Sequence, residues 1–144
     1  MCIYYRILIS SMKTNVVVVI PNWNGDDFIA ECLGSLKKQG YSHDVIVVDN
    51  GSVDNSVEII KKSYPKVRLL QFDDNAGFAG GVNRGIRPAI KDKYEYIALF
   101  NNDAFADKDW LKNLVNAADQ HPEVGITTGK FMRMDKKHID STGD

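Results

Sequence analysis

The sequence predicts an α/β domain built on a mostly parallel sheet with helices on both faces. Three observations carry that reading. Continuous apolar or β-branched runs recur at residues 16–20, 45–49, 67–72 and 96–100. Segments with apolar residues at helical spacing lie between them. The connections are short, so strand and helix alternate, as they do when parallel strands are joined by right-handed crossovers.

Each element has its own warrant. VVVVI at residues 16–20 is apolar on both faces, which suits a strand covered from both sides, and Pro21 ends it. FIAECLGSLKKQ places Phe28, Ile29, Cys32, Leu33 and Leu36 on one helical face. Asp26 or Asp27 is positioned to cap its start and Gly40 to end it. VIVVD at 45–49 is a second strand, followed by an NGS turn. Asp54 opens a helix carrying Val57, Ile59 and Ile60, which Pro65 closes. VRLLQF at 67–72 is a third strand. Residues 78–91 repeat Val82, Ile86, Ala89 and Ile90 at helical spacing, with Pro88 a strained position. YIALF at 96–100 is the fourth strand. Asp109 begins a helix with Leu111, Leu114, Val115 and Ala118 as its stripe, and VGITTG at 124–129 is a further strand. Residues 1–14 read as an N-terminal extension, with Met12 an alternative start, and residues 15–144 as the domain.

The 144 residues match one ordinary domain, and a 26% charged, 44% hydrophobic composition is that of a soluble globular protein. A formal net charge of −1 gives no electrostatic reason to expect nucleic acid as a partner. Cys2 and Cys32 form no CxxC or Cys/His cluster, which argues against a disulfide framework and a zinc site. His43, His121 and His138 are scattered and read as solvated loop residues. The apolar N-terminus lacks a long uninterrupted core and a small-residue cleavage site, and is far too short to span a bilayer. A cytoplasmic protein is the expectation.

In open α/β sheets, ligands bind outside the carboxyl ends of the strands. Here those ends read PNWN, DNGS, DDNAG and NNDA, all on one rim. One such turn means little, because Asp, Asn and Gly favour turns; four on a common edge point to a site. Trp23 reads either as a half-buried edge aromatic or as a wall against which a base stacks. Asp49 reads as a cap for the turn before Gly51 or as an acceptor for a base N–H. Gly77, Gly81 and Gly85 fall four apart, on one helical face, at a cost in helix stability. They mark either a seam packed on the sheet or the close approach of a ligand. Neither GxGxxG nor GxxxxGK[ST] is present. Asn101 and Asp103 lie two apart across a tight turn and can address one ion. Carboxylate and amide oxygens suit Mg²⁺ or Mn²⁺, and one carboxylate suffices where a diphosphate supplies the remaining charge.

Taken in order, these stretches resemble glycosyltransferase family 2, the inverting enzymes of GT-A fold. The P-x-(aromatic)-N element is Pro21, Asn22, Trp23 and Asn24; V-D-x-G-S-x-D runs from Val48 to Asp54. N-x-G-x-x-x-x-x-N-x-G runs from Asn75 to Gly85, and the D-x-D element is Asn101, Asn102 and Asp103. The resemblance implies that Pro21 and Trp23, with Asn24, border the nucleotide base and that Asp49 binds the pyrimidine. It implies that Asn75, Gly77 and Asn83 line the nucleotide and phosphates, that Asn101 and Asn102 complete the nucleotide-sugar site, and that Asp103 holds Mg²⁺ or Mn²⁺ on the diphosphate. Two departures stand out: Val82 replaces an arginine many members carry, and Asn101 replaces the first aspartate of D-x-D. The GFAGG and NND stretches resemble the rhamnosyltransferase-like branch, which points to dTDP-rhamnose as donor, with UDP-sugars close behind.

The resemblance also implies in-line displacement at the anomeric carbon, with a carboxylate taking the proton of the acceptor hydroxyl. In the family that base and the acceptor region lie well beyond D-x-D, whereas only residues 104–144 follow here. The base is therefore expected beyond Asp144, and this chain is read as the donor-binding part of the enzyme. A glycan or lipid-linked acceptor, a peripheral position at the inner face of the membrane and pairing into a homodimer complete the expectations. A non-catalytic nucleotide-binding module is the second reading. A sugar nucleotidyltransferase would want a basic glycine-rich loop after the first strand, where PNWNGDD is acidic. A flavodoxin-like receiver would use a lysine near the last strand, such as Lys130, but the first motif does not fit.

Overall fold

Val16 through Ile20 are each at most 1% exposed, so the strand they form is covered on both sides. The computed structural model describes residues 4–6, 16–133 and 137–141. Their order is β1 (Tyr4–Arg6), β2 (Val16–Asn22), α1 (Ile29–Lys37), β3 (His43–Asn50), α2 (Ser56–Ser63) and β4 (Arg68–Phe72). It continues with α3 (Gly77–Lys91), β5 (Tyr96–Leu99), α4 (Trp110–Gln120), β6 (Ile126–Thr127), β7 (Phe131–Met132) and β8 (Ile139–Ser141). Side chains alternate across a strand, and β2 divides accordingly. Val16, Val18 and Ile20 pack with Ile29, Leu33 and Leu36 of α1, Ile60 of α2 and Leu111 and Val115 of α4. Val17 and Val19 pack with Val82 and Ala89 of α3.

The main sheet runs β4-β3-β2-β5-β1-β6, with β2, β3, β4 and β5 parallel. The chain lays β2, β3 and β4 outward in one direction, then returns through α3 to set β5 on the other side of β2. Crossovers keep one hand, so reversing direction sends the connecting helix to the opposite face. That is why α3 lies alone against its side of the sheet. The order reverses beside β2, and an open sheet leaves a crevice at such a point, outside the carboxyl ends of the flanking strands.

The glycines at 81 and 85 let α3 sit close to the sheet. A Cβ at Gly85 would fall 2.3 Å from Val19 Cγ1 and 3.0 Å from Val48 Cγ2, and one at Gly81 would fall 2.4 Å from Asn50 Nδ2. Gly77, by contrast, has open space where its Cβ would be and a φ of +70°. The packing reading therefore holds for Gly81 and Gly85, and a ligand reading survives only at Gly77.

Several expectations change in detail. Neither Asp26 nor Asp27 caps α1: its N-cap position is Phe28, without a side-chain hydrogen bond, and the Gly25 carbonyl accepts from Phe28 N and Ile29 N instead. Gly40 is not a left-handed cap, since α1 already ends at Lys38 in a right-handed conformation. His43 opens β3 instead of lying in a loop, with Nδ1 at 2.7 Å from the Tyr41 carbonyl. Pro88 lies inside α3 and removes the amide that would bond the carbonyl one turn before it, yet the helix runs on to Lys91. The strand expected over 124–129 shortens to Ile126–Thr127 and pairs with β1, not with a parallel neighbour. β1 itself, within the stretch read as an extension, pairs antiparallel with β5. Cys2 lies outside the described residues.

Gly85→Ala should destabilise the chain. The clash with Val19 and Val48 outweighs the roughly 1 kcal/mol that alanine gains in a helix, for a net loss of about 1–2 kcal/mol. A urea midpoint equal to or above wild type would contradict this packing.

Candidate functional site

The last residue of β2 is an asparagine, and it is buried. Asn22 pairs in register with Asp49 on β3, and the two are 1% and 2% exposed. Buried polar groups need partners, and Asn22 finds four. Its Nδ2 lies 3.0 Å from Asp49 Oδ1, 3.0 Å from Ser56 Oγ and 3.3 Å from Ser52 Oγ, so two hydrogens serve three acceptors. Its Oδ1 accepts from Asn102 Nδ2 at 3.0 Å. One side chain thus ties β2 to β3, to the turn after β3, to the first residue of α2 and to the loop after β5.

The surrounding turns are built on the same bonds. Asp49 accepts from Ser52 Oγ at 2.6 Å and Ser52 N at 3.2 Å, closing an Asx-type turn around Gly51, whose φ is +75°. Gly25 must lack a side chain here: a Cβ would stand 2.4 Å from Asn102 Nδ2 and 2.5 Å from Asn22 Oδ1. Asn24, held at a φ of +48°, donates from its N to Ser52 Oγ at 2.9 Å and accepts from Val53 N at 2.9 Å. Trp23, between two anchored asparagines, is left 55% exposed. Asp54 accepts from Ser56 N at 3.1 Å, Ser56 Oγ at 2.5 Å and Asp26 N at 2.8 Å. Burial opposes its charged form, but these donors prevail and hold the carboxyl below its usual value of 3.8. The helix expected to open at Asp54 begins at Ser56 with Asn55 at its N-cap position, and Asp54 stands one residue earlier, bonded to Ser56.

A second cluster forms where β4 passes into α3. Asn75 Oδ1 accepts from Gly77 N at 2.8 Å, and the buried Asn50 donates from Nδ2 to the Gly77 carbonyl at 3.3 Å. Arg84 reaches across from α3 to Asp74 and to Asn50 Oδ1. Asn83 is exposed on α3 and takes no part in these hydrogen bonds.

At the end of β5 the stretch NND divides. Ala104 N bonds the Asn101 carbonyl at 3.3 Å, closing the expected tight turn, and Cys32 Sγ donates to the same carbonyl at 3.4 Å. Asn102 faces inward to Asn22. Asp103 is exposed and has no hydrogen-bond or ion-pair partner among the described residues. Among those residues no group of three His, Cys, Asp or Glu is placed to hold a metal. The donor set is therefore a single carboxylate with amides beside it, which fits a hard divalent cation that takes its remaining ligands from phosphate oxygens and water.

The sequence-predicted residues Pro21, Trp23, Asn24, Asp49, Asn101, Asn102 and Asp103 follow or end three adjacent strands, β3, β2 and β5, on one rim. Asn75 and Gly77 stand at the start of α3, joined to that rim through Asn50. Ser56 and Arg84 carry no motif in the sequence, and Asn22, Asn50 and Ser52 enter it only as positions within the quoted stretches. The signal for Asn22 was an amide ending a fully apolar strand, in register with an aspartate.

The family model for glycosyl transferase family 2 matches residues 17–141. The chain belongs to that family. Glycosyltransferase GlyG of Streptococcus pneumoniae is 30% identical over 129 residues, 87% of this chain and 42% of that protein. The crystal structure of Staphylococcus aureus TarS 1–349 in complex with UDP-GlcNAc matches with a TM-score of 0.67 at 27% identity, covering 75% of this chain and 32% of that one. The mannosyltransferase PcManGT from Pyrobaculum calidifontis, in complex with GDP-Man and Mn²⁺, shares the fold at 24% identity and a TM-score of 0.63, over 72% of this chain and 32% of that one. This family 2 chain spans less than half the length of each of these relatives. Its parallel four-strand sheet with helices on both faces is the GT-A-like arrangement. No helix among its described residues is long and apolar enough to cross a membrane.

Asn22→Ala strands buried groups on four elements at once. Each unpaired buried polar group costs about 1–3 kcal/mol, so the loss should be at least about 2 kcal/mol. A melting temperature within a degree of wild type would contradict the role given to this amide.

Proposed function

We propose that this chain is the nucleotide-sugar-binding part of an inverting, metal-dependent glycosyltransferase. The observation that supports this most is the pairing of exposed and anchored residues at the strand-order reversal. Trp23 and Asp103 each stand one residue beyond the half-buried Asn22–Asn102 hydrogen bond, one after β2 and the other after β5. An aromatic face and a lone carboxylate flank the crevice of an open α/β sheet.

On this reading the base lies against Trp23, bordered by Pro21 and Asn24. Asp49 Oδ2, which among the described residues accepts only from Ser52 N, is the oxygen left for a base N–H. Asn75, Gly77 and Asn83 line the nucleotide and its phosphates. Asp103, with Asn101 and Asn102 beside it, would hold Mg²⁺ or Mn²⁺ on the diphosphate. When bound, such a cation offsets the negative charge that grows on the departing diphosphate. The acceptor hydroxyl attacks the anomeric carbon opposite the diphosphate, whose bond to that carbon breaks; a carboxylate takes the proton. What these residues contribute is binding and orientation of the donor. The donor is a UDP-sugar or dTDP-rhamnose: a pyrimidine base is supported by the similarity to TarS, crystallised with UDP and with UDP-GlcNAc, and rhamnose by the GFAGG and NND stretches. The acceptor is a glycan or lipid-linked hydroxyl compound.

Calorimetric titration of the 144-residue chain with UDP, dTDP and GDP, with and without Mn²⁺, tests this directly. UDP or dTDP should bind in a metal-dependent way and better than GDP, and Asp103→Ala should weaken that binding about tenfold or more, as expected for loss of a charged ligand. Folded protein that binds none of the three, or binding indifferent to Mn²⁺ and to Asp103, would overturn the proposal.

A further inference from the structure

We infer that Arg84 is a positioning residue of the donor site, fixing the loop from which Asn75 and Gly77 address the nucleotide; this rests on the donor-site reading above. Arg84 projects from α3 onto three partners at once. Nη2 reaches both Asp74 carboxylate oxygens at 2.8 Å, and Nη1 reaches the Asp74 carbonyl at 3.1 Å and Asn50 Oδ1 at 3.3 Å. The guanidinium carbon also stands 4.2 Å from the centre of the Phe72 ring, at the end of β4. Phe72, Asp74 and Arg84 thus bracket the connection that leaves β4 and enters α3.

The bond to Asn50 has a second consequence. Asn50 is 3% exposed, and the guanidinium can only donate, so Asn50 must present Oδ1 to it. That turns Nδ2 toward the Gly77 carbonyl. Gly77 in turn donates its N to Asn75 Oδ1 and holds a φ of +70°. The same loop packs against the turn after β3: a Cβ on Gly51 would stand 3.1 Å from the Asp73 carbonyl. One guanidinium therefore sets the amide orientation of Asn50, the start of α3 and the course of residues 73–76.

Arg84 adds little to global stability by this route. Its carboxylate partner is 68% exposed, and exposed ion pairs are worth little to folding. Its effect falls on local order, since loops with few buried contacts open well below the global unfolding free energy. A lysine at 84 would keep the charge but could not serve both Asp74 oxygens and Asn50 together. The inference therefore separates binding from folding, which an ordinary structural contact would not do.

The test titrates UDP in the presence of Mn²⁺ into wild type, Arg84→Met, Arg84→Lys and Asp74→Asn, with melting temperatures in parallel. Methionine keeps an apolar stem over Phe72 and removes every donor. Arg84→Met should weaken UDP binding about tenfold, as for loss of a bidentate charged anchor, with its melting temperature nearly unchanged. Arg84→Lys should fall between the two. Asp74→Asn, which leaves Arg84 on Asn50 and Phe72, should weaken binding in the same direction, and combining it with Arg84→Met should add little. Arg84→Met that binds within twofold of wild type overturns the inference. So does a loss of binding that only tracks a fall in melting temperature and that lysine does not restore. If Arg84→Met fails to fold, Asp74→Asn decides: wild-type affinity overturns the inference. Wild type that binds no UDP or dTDP overturns the donor-site reading itself, and this inference with it, whereas wild-type binding lost in Asp103→Ala but not in Arg84→Met sinks only the role of Arg84.

Discussion

The arrangement of the rim depends on one buried amide. A parallel sheet ends its strands in loops that have no reason of their own to lie together, and each loop carries backbone donors and acceptors that need partners. Asn22 supplies a common partner for the two loops after β3 and β5. It accepts from Asn102 after β5 while donating to Asp49, Ser52 and Ser56 around the start of α2. No hydrophobic residue can do this, and an aspartate would repel Asp49. In a low-dielectric setting such a network is rigid when every member is satisfied and costly when one is missing. Gly25 is small for the same reason, because a side chain there would occupy the space of the Asn22–Asn102 bond.

This constraint explains how the NND stretch can carry only one carboxylate. Asn102 is committed inward and stabilises the loop, and the backbone of Asn101 closes the turn and meets Cys32. Asp103 alone stays exposed and without a partner among the described residues. An aspartate at 102 would lack the Nδ2 donor that Asn22 Oδ1 requires. The amides here hold the fold in place, while the single acid remains available to a ligand.

Much of the fold was legible because the signals were long or repeated. Five successive β-branched or apolar residues from Val16 to Ile20, and VIVVD after them, leave little choice but buried strands, and the oxygen-rich turns at four strand ends marked the rim. The missed features are short or depend on partners distant in sequence. β1 is three residues long, and its pairing with β5 bridges some ninety residues of chain that no local pattern reveals. The α1 cap differs because the helix begins at Ile29, which leaves Asp26 and Asp27 ahead of the Phe28 N-cap position. Asn22 looked like a turn former at a strand end, and its role appears only when β3, α2 and the β5 loop meet it. Nothing local in the sequence says that Arg84 reaches back to Asp74 and Asn50. The glycine pattern was half legible: the spacing marked the face, but only the sheet beneath it separates Gly81 and Gly85 from Gly77.

On the proposed reading a nucleoside diphosphate sits on the carboxyl rim, against elements held together by Asn22. The most direct measurement is a two-dimensional amide NMR titration of the chain with UDP in the presence of Mg²⁺, a diamagnetic cation that leaves the signals observable. Binding on the rim would concentrate the shifts at residues 22–25, 49–53, 75–78 and 101–104, with the far end of the sheet unchanged. A different surface is on offer there: a cavity of about 430 Å³ lined by Lys37, His43, Ser63, Tyr64 and Lys66, among others, beside the amino ends of β3 and β4. Shifts centred on those residues, with the rim silent, would place the nucleotide elsewhere and rule out the rim as its site.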